Sequence, residues 1–239
     1  MKRAAPVTLA ALLLAASGCA SPSVIRRLPD PTITPPRPRI SRAPVATPRP
    51  PPRPPPSTPL AGKVIVVDAG HGGHDPGALG VGPVPEETVN LGVALKLIPF
   101  LEQRGAQVIA TRTGDRFVAL DGRARMAEEA RADLFVSIHA DACPRSSVSG
   151  ATIYVARGAG GASRRAAGSI AAALESSGIA CRGVRKAGFR VLVGHSRPAV
   201  LIECGYLTNY HEARALGTSA YQARLAEAIA EGITDHFGP

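Results

Sequence analysis

From residue 63 onward, hydrophobic positions follow two different spacings. Short β-branched runs bounded by glycine predict buried strands, and apolar residues three or four positions apart predict helices. The predicted strands are 63–68, 107–110, 134–139, 151–156, 191–193 and 199–203, and the predicted helices are 86–104, 119–130, 163–176 and 221–236. This alternation predicts an α/β sheet with helices on both faces.

Polar residues stand where three of the predicted strands end. They occur in segments 68–71, 137–141 and 201–205, and include His71, His139 and Glu203. Open α/β sheets bind ligands at the carboxyl ends of their strands. These three side chains are therefore candidates for one site.

The glycine-rich segment 70–77 follows a predicted strand and is superficially similar to a nucleotide-phosphate-binding loop. Read as G-x-G-x-x-G from Gly70, it has Asp75 at the position of the third glycine, and a carboxylate there would repel phosphate. Glycines around His71 instead allow a tight turn that presents the imidazole, as a metal ligand requires.

The first sixty residues differ from the rest. Residues 1–18 combine Lys2 and Arg3 with an apolar run of about ten residues, shorter than the roughly 20 that span a bilayer, and this is typical of an export signal. Small residues before Cys19 resemble the lipobox of bacterial lipoproteins, which predicts lipidation of Cys19. Ala16 departs from the usual leucine, so cleavage by an ordinary signal peptidase is the alternative. Ala20, directly after Cys19, resembles the sorting signal of lipoproteins that are transported to the outer membrane. We therefore expect a periplasmic protein that is anchored by lipid to the outer membrane.

Charge and proline concentrate in the same region. The net charge of the chain is +10, but residues 21–60 hold seven arginines, one aspartate and 15 of the 23 prolines. Residues 19–60 are predicted to be a disordered, extended tether, with a proline-motif ligand as the competing interpretation. Residues 61–239, with 19 basic and 17 acidic side chains, are predicted to form one globular domain, and nothing in it indicates nucleic acid binding.

Four segments closely resemble zinc-dependent N-acetylmuramoyl-L-alanine amidases of bacterial cell walls, in the order found in that family. They are 67–78 (VDAGHGGHDPGA), 86–91 (EETVNL), 132–142 (ADLFVSIHADA) and 198–209 (PAVLIECGYLTN). The resemblance implies a three-layer, zinc-exopeptidase-like α/β domain with a twisted, mixed but mostly parallel sheet. It also implies cleavage of the amide between N-acetylmuramic acid and the L-alanine of the peptidoglycan stem peptide.

The same resemblance implies roles for individual residues. His71, Glu86 and His139 match the ligands of one Zn²⁺ per domain, and Glu203 matches the catalytic glutamate. Asp75 either orients a ligand histidine or forms a turn. Arg123 matches a family arginine and has either a structural role or one in support of the ligands. His195 is a weaker candidate for the cleft wall.

Several alternatives stay open at this point. An envelope zinc peptidase acting on stem peptides, or a non-catalytic cell-wall binding domain, would use the same fold. A Cys143–Cys181 disulfide is conceivable in the periplasm. Only 63 residues separate His139 from Glu203, so we expect no autoinhibitory helix between them and no need for an activator. Stem-peptide preference, biological role and oligomeric state are not determined.

Overall fold

The computed structural model describes residues 58–82 and 84–238. The predicted signal peptide, Cys19 and nearly all of the tether lie outside these residues. The strands are β1 (Val64–Ala69), β2 (Gln107–Ala110), β3 (Leu134–Asp141), β4 (Ala151–Ala156), β5 (Cys181–Ala187) and β6 (Ala199–Tyr206). The helices are α1 (Glu86–Gln103), α2 (Leu120–Glu129), α3 (Gly161–Ser176), α4 (Arg190–Val193), α5 (Tyr210–Leu216) and α6 (Ser219–Phe237).

The six strands form one mixed sheet in the order β2-β1-β3-β6-β4-β5. Strands β2, β1, β3 and β6 are parallel, so their carboxyl ends share one edge of the sheet. Strand β4 runs antiparallel to β6, and β5 runs parallel to β4. The predicted mixed, mostly parallel sheet is confirmed.

Helices cover both faces of the sheet, as predicted. The larger core packs α1, α3 and α6 against one face, through residues such as Val93, Ile170 and Ile229. The smaller core joins α2 and α4 to the other face, around Phe135 and Val191. The domain is therefore a three-layer α/β structure.

Two elements were missed and one was predicted wrongly. Strand β5 was missed because it lies at the sheet edge and exposes most of its side chains, so that its sequence CRGVRKA has no apolar alternation. Helix α5 was missed although Asn209 caps it by accepting hydrogen bonds from the backbone N–H of His211 and Glu212. Segment 191–193 was predicted as a strand but is part of the single-turn helix α4. Val191 and Leu192 are buried in the smaller core, and a single helical turn buries such a short apolar run just as a strand would.

The folded domain begins before residue 61. The side chain of Leu60 is fully buried in the larger core, and its backbone N–H donates to the carbonyl oxygen of Arg104 at 2.9 Å. Thr58 accepts a hydrogen bond from the backbone of Ala61 at 2.9 Å. Thr58 and Leu60, which the predicted boundary at residue 61 assigned to the tether, therefore contact the folded domain. In the described part of the chain, none of the helices has the length and apolar character needed to cross a membrane.

Candidate active site

The segments that end β1, β3 and β6 meet at one edge of the sheet. Asp68 on β1 is in register with Ser137 on β3, and His139 on β3 is in register with Glu203 on β6. Glu86 reaches the same place from the first turn of α1. The fold thus brings together the four residues that the sequence singled out for metal binding and catalysis.

The loop after β1 depends on backbone positions that exclude a side chain. A Cβ atom on Gly70 would lie 2.3 Å from the His139 ring, and one on Gly77 would lie 2.5 Å from Oε2 of Glu86. His71 itself has φ 60°, in the left-handed region that residues other than glycine rarely adopt. Strained backbone of this kind persists where the surrounding contacts enforce it, and it is common at functional sites.

His71, Glu86 and His139 form a compact group. Nε2 of His71 lies 3.2 Å from Oε2 of Glu86, and Nδ1 of His139 lies 2.9 Å from Oε1 of Glu86. One ligand atom from each residue lies within 4.8 Å of the other two. Two imidazoles and a carboxylate at this spacing are able to bind one metal ion.

Glu86 is held in place as an ionised group. Its carboxylate accepts hydrogen bonds from the backbone N–H of Ala78 at 2.8 Å and of Ala140 at 3.2 Å, and from Nδ2 of Asn90 at 3.2 Å. Burial alone would raise the pKa of Glu86, but the hydrogen bonds with His139 and His71 outweigh burial and hold that pKa well below its usual range. Asn90, which the sequence analysis did not single out, is one helical turn from Glu86 and is fully buried.

Asp75 contacts His71 directly. Oδ2 of Asp75 lies 2.7 Å from Nδ1 of His71, and Oδ1 accepts a hydrogen bond from the backbone of Gly77. An ionised carboxylate only accepts hydrogen bonds, so Asp75 holds a proton on Nδ1 and Nε2 faces Glu86. The hydrogen bond to Glu86, with a further contribution from Asp75, raises the pKa of His71. Asp75 thus combines both suggested roles, because it orients the histidine and closes the turn.

Arg123 holds the loop after β1 in place and forms a buried ion pair with Asp68. Its Nη1 lies 2.7 Å from Oδ1 of Asp68, which is fully buried, and donates to the carbonyl oxygen of Ala69 at 2.6 Å. Its Nη2 donates to the carbonyl oxygen of His71 at 2.7 Å. Thr111, directly after β2, and Ser137 on β3 also donate to Asp68. Arg123 is therefore a positioning residue for the loop that carries His71.

Arg112 holds the other side of this loop, and the sequence analysis missed it. Its guanidinium donates to the carbonyl oxygens of Ala69 and Gly70, each at 2.9 Å, and to that of Glu87 at 2.7 Å. It thereby connects the loop after β1 to the first turn of α1. A lone arginine after a short strand carries no signal of this role, since the carbonyl oxygens of Ala69, Gly70 and Glu87 that it holds are distant in sequence.

Glu203 differs from Glu86 in its surroundings. Its side chain is buried, with 7% exposed, and Oε2 has no hydrogen-bond partner among the described residues. Burial, and then the charges of Asp141 and Glu86, raise the pKa of Glu203 well above its usual range. The neighbouring Cys204 points into the larger core, where burial raises the pKa of its thiol.

These groups open into one cleft of about 540 Å³. The group of His71, Glu86 and His139, together with Glu203, forms one part of its wall. Another part is apolar and includes Phe117 and Leu120 near the start of α2, and Phe189 and Val191 at α4. Phe117, Leu120 and Phe189 are each more than one third exposed, so apolar side chains face an incoming ligand.

His195 does not line this cleft, contrary to the suggestion from the sequence. It packs edge-on against Phe135, with ring centroids 5.1 Å apart, and lines a separate cavity of about 310 Å³ near the start of β6. It precedes β6, whereas Glu203 lies toward the other end of that strand. Cys143 and Cys181 are both free, so the conceivable disulfide between them is absent.

The connection between His139 and Glu203 holds one long helix, α3, and this helix packs against α6 on the face of the sheet opposite α2 and α4. The single turn of α4 borders the cleft but leaves it open. Within the described part of this connection, α4 is the only helix that contributes side chains to the cleft wall.

The buried ion pair generates a stability prediction. Arg123→Met leaves Asp68 buried without its cation, so we expect the free energy of unfolding to fall by about 3–5 kcal/mol. Arg125→Met is the matched control, because Arg125 lies two positions away and pairs with Glu129 on the surface, where the change is below about 1 kcal/mol. Urea unfolding followed by circular dichroism measures both. Equal losses in the two variants would contradict a special role for Arg123.

Comparisons with known proteins agree with this geometry. The model of the N-acetylmuramoyl-L-alanine amidase family matches residues 65–235. The chain is 36% identical over 181 residues to N-acetylmuramoyl-L-alanine amidase LytC of Bacillus subtilis (strain 168). The aligned region covers 75% of this chain and 36% of LytC. It is 31% identical over 220 residues to AmiA of Escherichia coli (strain K12), covering 73% of this chain and 76% of AmiA.

Solved structures give the same result. The catalytic domain of CwlV, an N-acetylmuramoyl-L-alanine amidase from Bacillus (Paenibacillus) polymyxa var. colistinus, superposes with a TM-score of 0.68 at 39% identity, covering 72% of this chain and 97% of that domain. The N-acetylmuramoyl-L-alanine amidase of Clostridium difficile 630 gives a TM-score of 0.70 at 32% identity, covering 72% of this chain and 95% of its own. The chain belongs to the N-acetylmuramoyl-L-alanine amidase family.

Proposed function

We propose that this chain hydrolyses the amide between N-acetylmuramic acid and L-alanine in peptidoglycan, with Zn²⁺ as its cofactor and Glu203 as its general base. The observation that carries the proposal is the juxtaposition in one cleft of the His71/Glu86/His139 group and a buried glutamate with an unpartnered oxygen. Family membership supports the same reaction.

The donor set fits zinc. Zinc favours a tetrahedral arrangement of histidine nitrogens and carboxylate oxygens at about 2.0–2.2 Å, and catalytic sites use three protein ligands. His71, Glu86 and His139 are such a set, and the glycines at 70 and 77 leave the space that the two rings and the carboxylate need. When bound there, zinc lowers the pKa of water to about 7 and polarises a carbonyl oxygen.

Glu203 supplies the proton transfers. Oε2 of its buried carboxylate takes a proton from the water that attacks the carbonyl carbon. The same oxygen then gives this proton to the nitrogen of L-alanine as the carbon–nitrogen bond breaks, so that a free amine and a lactyl carboxylate are formed. An unpartnered, desolvated carboxylate oxygen is a stronger base than a solvated one, and a catalytic role accounts for a buried carboxylate that would otherwise only cost stability.

Three further residues position the ligands. Asp75 holds His71 in one orientation. Arg112 and Arg123 hold the backbone of the loop by its carbonyl oxygens. None of them needs to contact the substrate, and each acts through the geometry of His71 or Glu86.

We propose that the enzyme works in the cell envelope. Peptidoglycan lies outside the cytoplasm, and the basic and apolar start of the chain is typical of an export signal. Lipidation at Cys19 would anchor the chain to the outer membrane. The proline-rich tether, at about 3.1 Å per residue, would then span on the order of 120 Å if fully extended.

Replacement of the general base gives the sharpest test of the reaction. Glu203→Gln keeps the three metal ligands but has no basic oxygen, so we expect turnover to fall by about 10²–10⁴-fold with unchanged zinc content. The control is Glu102→Gln, on the exposed end of α1. Purified zinc-loaded protein is incubated with peptidoglycan, without any added partner, and the products are analysed by mass spectrometry.

The products separate the possible functions. Released stem peptides that begin with L-alanine support the amidase. Shortened stems indicate a peptidase, and no product from wild-type protein alone indicates either a binding domain or a requirement for an activator. Full activity of Glu203→Gln would contradict its role as base.

The pH dependence provides a second test. Glu203 acts as a base only when ionised, so activity declines as the pH falls through its pKa, which Asp141 raises. Asp141→Asn removes this charge, and we expect the acid limb of the kcat/KM profile to move to lower pH. Asp235→Asn, exposed on α6, is the control and keeps the limb in place. The three proteins are compared at equal measured zinc content, and an acid limb that does not move in Asp141→Asn would contradict the prediction.

Anchoring is tested separately. Cys19→Ser removes the thiol that is lipidated, so we expect the enzyme to move from the membrane pellet to the soluble fraction, with Ser23→Ala as the control. The mass of the mature N-terminus identifies the lipid. A soluble wild-type protein without a lipid adduct would support cleavage by an ordinary signal peptidase instead.

A further inference from the structure

The near-neutral catalytic domain has a strongly uneven charge distribution. Residues 143–202 contain nine arginines and lysines and one glutamate. The rest of residues 61–239 contains ten basic and 16 acidic side chains. Since the basic segment includes β4, α3, β5 and α4, the positive charge collects at one end of the sheet.

At this end, one face of the sheet continues the wall of the cleft. Leu201 on β6 lines the cleft, Tyr154 on β4 is in register with Leu201, and Arg185 on the edge strand β5 is in register with Tyr154. Residues in direct register point to the same face of a sheet. Leu201, Tyr154 and Arg185 therefore form a row that leads from the cleft to the sheet edge.

Two aromatic contacts extend this row. Phe189, which lines the cleft, packs edge-on against Tyr154 with ring centroids 5.1 Å apart. The guanidinium of Arg182 lies 5.9 Å from the centre of the Tyr206 ring, and the hydroxyl of Tyr206 lies 3.4 Å from that of Thr152, which is in register with Glu203. Arg182 thus lies on the same face as the catalytic glutamate.

Two of the cations on this face, Arg182 and Arg185, have no carboxylate partner among the described residues, although Arg182 also donates to the carbonyl oxygen of Ser149 at 3.3 Å. Among residues 58–82 and 84–238, no carboxylate lies within 4.0 Å of the guanidinium of Arg182 or Arg185, and both side chains are exposed. Arg190, at the cleft wall, pairs with Asp121, and both of these side chains are more than half exposed. We call Tyr154, Arg182, Arg185, Phe189 and Arg190 the cationic platform.

The distance from the site to the platform suits the substrate. Neighbouring strands lie about 4.8 Å apart, so β5 lies roughly 10 Å from β6 along the sheet. An extended peptide covers about 3.3 Å per residue, and roughly 10 Å corresponds to three residues. A stem peptide whose first residue is at Glu203 would place the carboxylates of the next residues over the platform.

We propose that the cationic platform binds the free carboxylates of the stem peptide and makes the enzyme prefer stems with free carboxylates over stems in which they are amidated. This inference rests on the proposed function, because it assumes that the scissile amide is at Glu203. Charge complementarity supports it, since the stem is the anionic part of the substrate and the platform is the part of the domain with excess positive charge.

The test compares substrate preference in matched variants. The substrates are soluble muropeptides with free stem carboxylates and the same muropeptides with these carboxylates amidated. For wild-type protein, we expect kcat/KM to be about fivefold higher for the free form, and for Arg182→Gln/Arg185→Gln we expect the ratio to fall to about one. Raising the salt concentration should reduce the wild-type ratio in the same direction.

Lys186→Gln is the control. Lys186 has the same charge and lies on the same strand, but it is in register with Val155, which points into the core on the opposite face. We expect this variant to keep the wild-type ratio. A ratio that is unchanged in the double variant, or lowered equally by Lys186→Gln, would overturn the proposal.

Two further measurements keep the inference separate from the proposed function. Glu203→Gln protein is titrated with isolated stem peptides in the free and the amidated form, which requires no turnover. Preference for the free form that depends on Arg182 and Arg185 supports the platform even if the wild-type reaction proves different.

Vesicles containing phosphatidylglycerol are the second probe. Loss of vesicle binding in the double variant, with the substrate ratio unchanged, would assign the platform to a lipid surface and overturn the proposal.

Discussion

The buried ion pair between Asp68 and Arg123 is the interaction on which the site depends. Asp68 accepts hydrogen bonds from three donors, and Arg123 donates to the backbone on both sides of Gly70. A buried charge without its partner is costly, so the pair forces β1, β3 and α2 into one arrangement. The left-handed conformation of His71 is stable only within that arrangement.

The two glutamates show how the same side chain acquires opposite properties. Glu86 accepts hydrogen bonds from backbone N–H groups and is near two histidines, and its charge is stabilised. Glu203 has a free oxygen and faces other carboxylates, so its proton affinity rises. One glutamate is therefore suited to hold a cation permanently and the other to exchange a proton. Beyond β6, the antiparallel strand β4 and the edge strand β5 continue the sheet, so the face that carries Glu203 also carries exposed cations of β5.

Local sequence signals predicted the elements in which local and tertiary preferences agree. The β-branched runs of β1 and β6 and the periodic helices α1 and α6 form close to their predicted positions. Prediction failed at β5 and α4, where the edge of the sheet and a single helical turn leave no periodic pattern. It also failed for Arg112, which holds backbone carbonyls that only the folded chain brings near, and for Asn90, whose amide donates both to Glu86 one helical turn away and to the distant carbonyl oxygen of Gly70.

The sequence by itself determined the fold class, the four motifs and the identity of the residues at the strand ends, because these follow from patterns of neighbouring residues and from resemblance to a family. Only the tertiary structure decided which groups hold the loop that carries His71, that His195 lies outside the cleft, and that Arg185 is in register with Tyr154 and Tyr154 with Leu201 of the cleft wall. The physical reason is that hydrogen bonds, burial and electrostatic fields act through space, between residues that are separated by 50 or more positions along the chain.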